Sequence, residues 1–192
     1  MLTGPDRLRH VLLKLERAKV HAAHLNEAVQ AFFATNPYRV GTKHDPASRK
    51  LVYFISDVQP TPDQLSLLVG DALQNLSTAL DHLAYQIVCR DTNDAPPNPR
   101  GIYFPIADDQ SRYDAAKQTK LFGATPAAIA CFDALKPYRG GNDLLWQLAR
   151  LNNIEKHRLL LTVGSQAAGI HLGQLMSGLF SKSTGRDRKS VV

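Results

Sequence analysis

The chain has 192 residues, 44% of them hydrophobic, 21% charged and 7% aromatic, which is one domain's worth of globular polypeptide and excludes a disordered or fibrous class. With 23 Lys and Arg against 17 Asp and Glu it carries a moderate net charge of +6. No apolar run approaches the roughly 18 residues of a membrane span and the N-terminus lacks the apolar middle of a signal peptide, so a cytoplasmic protein with no membrane partner is expected. Cys89 and Cys131 lie far apart without a CxxC spacing, which argues against a disulfide framework or zinc ribbon and for two buried small apolar residues.

From Asp6 to about Ala34, Leu8, Val11, Leu12, Leu15, Ala22, Leu25, Val29, Phe32 and Phe33 recur at three- and four-residue steps, predicting one apolar stripe on a helix. Pro5 suits its first position, and Asn36-Pro37 ends it. Tyr38-Arg39-Val40 and Leu51-Val52-Tyr53-Phe54-Ile55 flank a turn-rich stretch, Gly41 to Arg49, and read as a β-hairpin within 38–58. Thr61-Pro62-Asp63-Gln64 reads as a capping box opening a second long helix that runs to about Arg90. Its inward face is Leu65, Leu68, Val69, Ala72, Leu73, Leu76, Leu80, Leu83 and Ile87.

After a proline-rich loop, Asp91 to Arg100, Ile102 to Ile106 is extended and two short helices follow. Ser111-Arg112-Tyr113-Asp114 resembles a capping box, while Thr125-Pro126 opens and Lys136-Pro137 closes the next helix. Asn142 or Asp143 caps the last strong helix, expected to run to about Val163 and stop at Gly164, with Leu144, Leu148, Leu151 and Leu159 facing the core.

The fold expected is mainly α: a helical bundle of three long and two short helices with a small β-hairpin insertion, a single domain over 1–164. Residues 165–186 are weakly patterned and read as a truncated C-terminal segment. Residues 187–192, Asp-Arg-Lys-Ser-Val-Val, match the translation of a common sequencing adapter and are expected to be an artefact.

On the last helix Trp146, Arg150, Asn153 and His157 fall at i, i+4, i+7 and i+11, one stripe opposite the core side. Histidine moves protons near neutral pH and arginine stabilises charge developing on a phosphate, so this stripe suits phosphodiester cleavage. On the second helix Asp71, Asn75, Thr78 and His82 form another polar stripe, expected either as a second wall of a cleft facing Arg150 and His157 or as a solvated face. Glu155, on the apolar side of its helix three residues before Arg158, is expected as a paired carboxylate. The first helix is basic early on, with Arg7, Arg9, Lys14, Arg17 and Lys19; it can track a phosphate backbone, yet no aromatic residues interleave, and a solvated face is the default reading.

His21, His24, Asp81, His82, Glu155 and His157 include no HExxH or Glu-x-x-His pair, so no metal is expected. The chain has no GxGxxG, Gly-Lys-Ser/Thr or GxSxG pattern, which disfavours nucleotide and serine hydrolases, and no cofactor is expected.

Arg150-Leu151-Asn152-Asn153-Ile154-Glu155-Lys156-His157 resembles the motif of the HEPN superfamily, an Arg and a following His separated by four to six residues on a helix of an α-helical bundle. Arg17 to His24 and Arg39 to His44 share the spacing, but only Arg150 to His157 joins a helix to an intervening Asn. The resemblance implies a metal-independent endoribonuclease of a defence or toxin–antitoxin system, working on RNA as a homodimer. In it His157 transfers protons, Arg150 stabilises the phosphate and Asn153 orients. A wider resemblance, through Gly70-Asp71-Ala72-Leu73-Gln74-Asn75-Leu76, Leu80-Asp81-His82-Leu83-Ala84 and Leu151 to Arg158, is to a group of uncharacterised bacterial proteins and implies no activity. That group often has Arg where this chain has Ser77. The alternative is a non-catalytic α-helical interaction module in which the Arg/Asn/His stripe is structural.

Overall fold

The computed structural model describes residues 3–158, with side chains described as far as Ile154. Five helices and one hairpin follow in chain order: α1 (Gly4–Ala34), β1 (Arg39–Asp45), β2 (Lys50–Ser56), α2 (Asp63–Asp91), α3 (Gln110–Lys120), α4 (Pro126–Leu135) and α5 (Asp143–Arg158). The protein is therefore mainly α with a small antiparallel hairpin, as the periodicity implies. Among the described residues no helix is long and apolar enough to cross a membrane. The expected end of the last helix near Val163 and the segments 165–186 and 187–192 lie outside the described residues.

α1 starts where the Thr3 side chain accepts the Asp6 amide and Pro5 fills the first turn. It runs antiparallel along α2, as residues ascending in α1 meet residues descending in α2: Arg7 with Gln86, His10 with His82, Lys14 with Asn75 and His21 with Asp71. The seam follows the expected apolar stripe only in part. Arg7, Val11, Ala18 and His21 are buried, whereas Leu8 and Leu12 are 42% and 57% exposed. Steps of four, seven and three residues make a coiled-coil-like seam; of its polar members Arg7 gives its guanidinium to Asp94 at 2.7 Å, while His21 Nδ1 has no hydrogen-bond partner among the described residues and lies 3.7 Å from Asp71. Val11, Leu15, Leu25, Val29 and Phe32 of the expected stripe are buried or half-buried and Leu8, Leu12, Ala22 and Phe33 are exposed, so hydrophobicity alone finds the covered side of α1 but not every residue on it.

In the hairpin, pairing runs from Arg39 opposite Ser56 to Asp45 opposite Lys50. β1 thus consumes half of the stretch expected as turn. The reversal is confined to 46–49, where the Asp45 carboxylate accepts the Ala47 amide and the Ser48 hydroxyl. Val40, Leu51, Tyr53, Phe54 and Ile55 remain exposed on the strands.

α2 begins at Asp63, preceded by an extended Pro62 with no side-chain cap, so the expected Thr61 capping box is not the start of the helix. α3 is capped by Asp109, whose carboxylate accepts the Arg112 amide at 2.8 Å, and not by Ser111. A charged oxygen suits the positive end of the helix better than a hydroxyl. α4 has the expected Thr125 cap and closes at a left-handed Lys136 before Pro137. α5 is capped by the Asn142 side chain on the Leu145 amide, while Asp143 accepts the Gly140 amide.

The core is built from Ala84 and Val88 of α2, Ile102 and Phe104 of the extended segment, Leu121 after α3 and Phe132 of α4, with the Phe104 and Phe132 rings edge-on at 5.3 Å. The Asp81 carboxylate accepts the Phe104 amide at 2.9 Å and pins the extended segment across α2. On α5 it is Leu145 that packs on this core, and Asn152 is buried, whereas Leu144 is 79% exposed. Of the expected leucine stripe Leu148 and Leu151 are half-buried and Leu144 is exposed, so the inward face is turned toward Leu145 and Asn152; Leu159 lies outside the described residues. Cys89 is buried as expected; Cys131, on the outer side of α4, is exposed.

Candidate functional site

The inward rotation of α5 leaves Trp146, Arg150 and Asn153 together on its other side, where they line an open groove of about 540 Å³ against Ile106, Ala107 and Asp108. Hydrogen bonding joins the two sides of the groove. The Trp146 indole N–H donates to Asp108 at 3.2 Å, and Arg112 donates to the second oxygen of the same carboxylate at 2.8 Å. The indole hydrogen bond first, then the Arg112 and Arg150 charges, hold the Asp108 carboxyl below its ordinary value against the opposing effect of burial. The Arg150 guanidinium lies 5.4 Å from the centre of the Trp146 ring, as does that of Arg139. Arg150 itself is exposed to solvent. This geometry gathers two guanidinium groups, the indole ring they lie against and the Asn153 amide, a set suited to phosphate recognition. His157 lies in the last turn of α5, and its side chain is outside the described residues.

Asp71, Asn75 and His82 are not in this groove. α2 turns them toward α1, where Lys14 donates to the Asn75 side chain at 3.3 Å, Asp71 stands 3.7 Å from His21, and the His82 ring lies 6.3 Å from that of His10. The reason is the packing order. α1 occupies the polar side of α2, and α5 meets the adjoining face that carries Ser77, Leu80 and Asp81.

Between α2 and α5 lies a cleft of about 280 Å³, which takes in Ser77, Asp81, Lys120, Asn152 and Asn153. Asn152 was not singled out by its sequence position. It is 2% exposed, and among the described residues its side-chain carbonyl accepts no hydrogen bond, an expensive arrangement for a buried amide. Nothing in the sequence pattern marked it: on the expected leucine face Asn152 sits about 100° round the helix from Leu151, and only the rotation of α5 carries it to the core.

Two further polar clusters hold elements in place. Tyr113 and Lys117 of α3 both donate to Asp133 of α4 at 2.8 Å, and burial followed by the Asp133 contact pushes the Tyr113 hydroxyl pKa well up. Asp91, at the end of α2, accepts both the amide and the hydroxyl of Thr125 at 2.8 Å. Among the described residues no three His, Cys, Asp or Glu side chains are grouped to hold a metal, and His21 is buried while His24 is exposed. No family model, curated protein or solved structure matches the chain.

Proposed function

We propose that this protein is a HEPN-like, metal-independent endoribonuclease, of the kind that serves phage defence or toxin–antitoxin systems, acting in the cytoplasm as a homodimer. The observation that supports the reading is the exposed Arg150 guanidinium held beside the Trp146 ring and next to Asn153 in an open groove. A guanidinium so placed can take two non-bridging oxygens of a phosphodiester, and as it swings to the phosphate a neighbouring base can take its place on the indole. In this reading His157 moves the proton. The 2′-hydroxyl attacks phosphorus and the 5′-oxygen leaves with a proton, giving a cyclic phosphate and a 5′-hydroxyl without metal or water. Asn153 orients the phosphate, and a second copy of the chain completes the site.

The test is cleavage of single-stranded RNA in the presence of EDTA by the full chain and by Arg150→Ala and His157→Ala variants. Loss of an acid–base residue is expected to slow cleavage by about 100-fold or more, with circular dichroism unchanged. A folded wild-type protein that leaves RNA intact refutes the reading. The result would favour a non-catalytic interaction module, which the exposed apolar side chains of the hairpin, Tyr53 at 69% and Val40 at 59%, also suit.

A further inference from the structure

The groove at Arg150 does not stand alone. Its walls Ile106, Ala149 and Asn153 also belong to the 280 Å³ cleft between α2 and α5. That cleft shares Asp81 with a hollow of about 410 Å³ over α2, which in turn shares His10 and His82 with a hollow of about 370 Å³ between α1 and α2. Four neighbouring depressions that share lining residues thus follow one another over the surface in a track, from Arg150 on α5 to Arg17 on α1.

The chemistry along the track is uneven in one direction. Lys120 stands in the middle, and His10, Lys14, Arg17 and His82 gather at the far end. Lys14 donates to the Asn75 side-chain carbonyl, a neutral partner, and among the described residues it has no ion pair; Arg17 is exposed. The carboxylates on the way are engaged by the protein itself: Asp81 by the Phe104 amide, Asp108 by Arg112 and Trp146. Tyr85 lines the track over α2, Tyr103, 49% exposed, lines it at the cleft, and Trp146 lines its α5 end. The basic face of α1 lacks interleaved aromatics in sequence; α2, the extended segment and α5 supply them in space.

We propose that His10, Lys14, Arg17, Asn75 and His82 form a second phosphodiester-binding subsite, and that a single RNA strand bound at Arg150 runs along this track to reach it. The proposal rests on the RNA reading of the Arg150 groove and adds to it a second anchor and a direction for the strand. Backbone phosphates are taken by the cations at the two ends, and bases between them stack on the tyrosines. A strand too short to span the track uses the Arg150 end alone.

The experiment is fluorescence anisotropy with labelled 2′-O-methyl oligouridines, which bind without being cleaved, in two lengths: a tetramer and a strand of about 12 nucleotides, a span within the range single-strand sites cover. The proteins are the full chain, Arg150→Ala, Arg17→Gln and the double variant Lys14→Gln/Arg17→Gln. The double variant should bind the long strand about ten-fold more weakly and the tetramer within about two-fold of wild type. Losing two phosphate contacts lowers the slope of log affinity against log salt by about 1.4, at roughly 0.7 per contact for single strands. Arg17→Gln alone, which removes no hydrogen bond seen in the fold, should lose about half of that slope and guards against a folding defect in the double variant.

Arg150→Ala should weaken both lengths. If Arg150→Ala weakens binding while the double variant and Arg17→Gln bind the long strand like wild type, the second subsite is refuted and the Arg150 reading stands. If the double variant weakens the tetramer as much as the long strand, the track is refuted as well. Wild-type protein that binds neither strand refutes the Arg150 reading and this subsite with it.

Discussion

Replacing Asp91 by alanine should cost about 2–4 kcal/mol of folding stability, because one nearly buried carboxylate joins two helices. Its side chain is 4% exposed and accepts the Thr125 amide and hydroxyl, each at 2.8 Å, at the N-terminus of α4. A hydrogen bond to a charged group is worth about 1.5–3 kcal/mol, so the two together set the scale even when the smaller value is taken and additivity is incomplete. The Arg90 guanidinium, 60% exposed, adds little because solvent screens it. For a chain of this size the melting temperature should fall by about 4–16 °C, at roughly 2–4 °C per kcal/mol.

Burial alone raises the Asp91 carboxyl pKa, but the Thr125 amide and hydroxyl and then Arg90 outweigh it and hold the value below the ordinary one. A carboxylate depressed in the folded state stabilises fully above its unfolded value of about 3.9, and the contribution disappears as pH falls through the folded value. Urea denaturation at pH 7 and at successively lower pH, for wild type, Asp91→Ala and Asp91→Asn, measures both effects. Both variants should lose less stability than wild type on acidification. A midpoint for Asp91→Ala that places it within about 0.5 kcal/mol of wild type at pH 7, or an unchanged acid limb in Asp91→Asn, refutes the assignment.

Two other substitutions probe the core and the cleft. Phe132→Ala removes a ring that is 2% exposed and edge-on to Phe104, and should destabilise by about 3–5 kcal/mol in urea denaturation, since a closely packed site collapses poorly around the void. Asn152→Leu replaces a buried carbonyl that accepts nothing among the described residues by an apolar group of similar size, and should raise stability by about 1 kcal/mol in the same assay. A loss of that size instead would show that the Asn152 amide is hydrogen-bonded in the folded protein. A gain accompanied by weaker RNA binding would show that the costly amide serves the cleft.

Much of the architecture was legible in the sequence because it is locally encoded. Thr125-Pro126 and Lys136-Pro137 bound α4 through a side-chain cap and a proline stop, interactions that span three or four residues, and both fall as expected. The three- and four-residue recurrence of apolar positions likewise marks α1, α2 and α5 as helices, and β-branched and aromatic residues mark the hairpin. Trp146, Arg150 and Asn153 share one side of α5 because the helical repeat places them there whatever the helix packs against. Cap choice was less legible where two polar residues compete: Asp109 takes the start of α3 one residue ahead of the new helix, a position Ser111 was expected to hold.

What periodicity cannot supply is the partner on each face. Several leucines lie around α1, and only its register against α2 decides that Val11 and Ala18 are covered while Leu8 and Leu12 face solvent. The same register turns Asp71, Asn75 and His82 toward α1 and away from α5, and brings His10 to His82 although 72 positions separate them in the chain. On α5 the turn toward Leu145 buries Asn152 and exposes Leu144. Capping and helical repeat act over four residues or fewer and so are written in the sequence. The seams, the grooves and the joining of basic α1 to the aromatics of other elements depend on side chains tens of residues apart meeting at angstrom precision, and only the packed fold decides them.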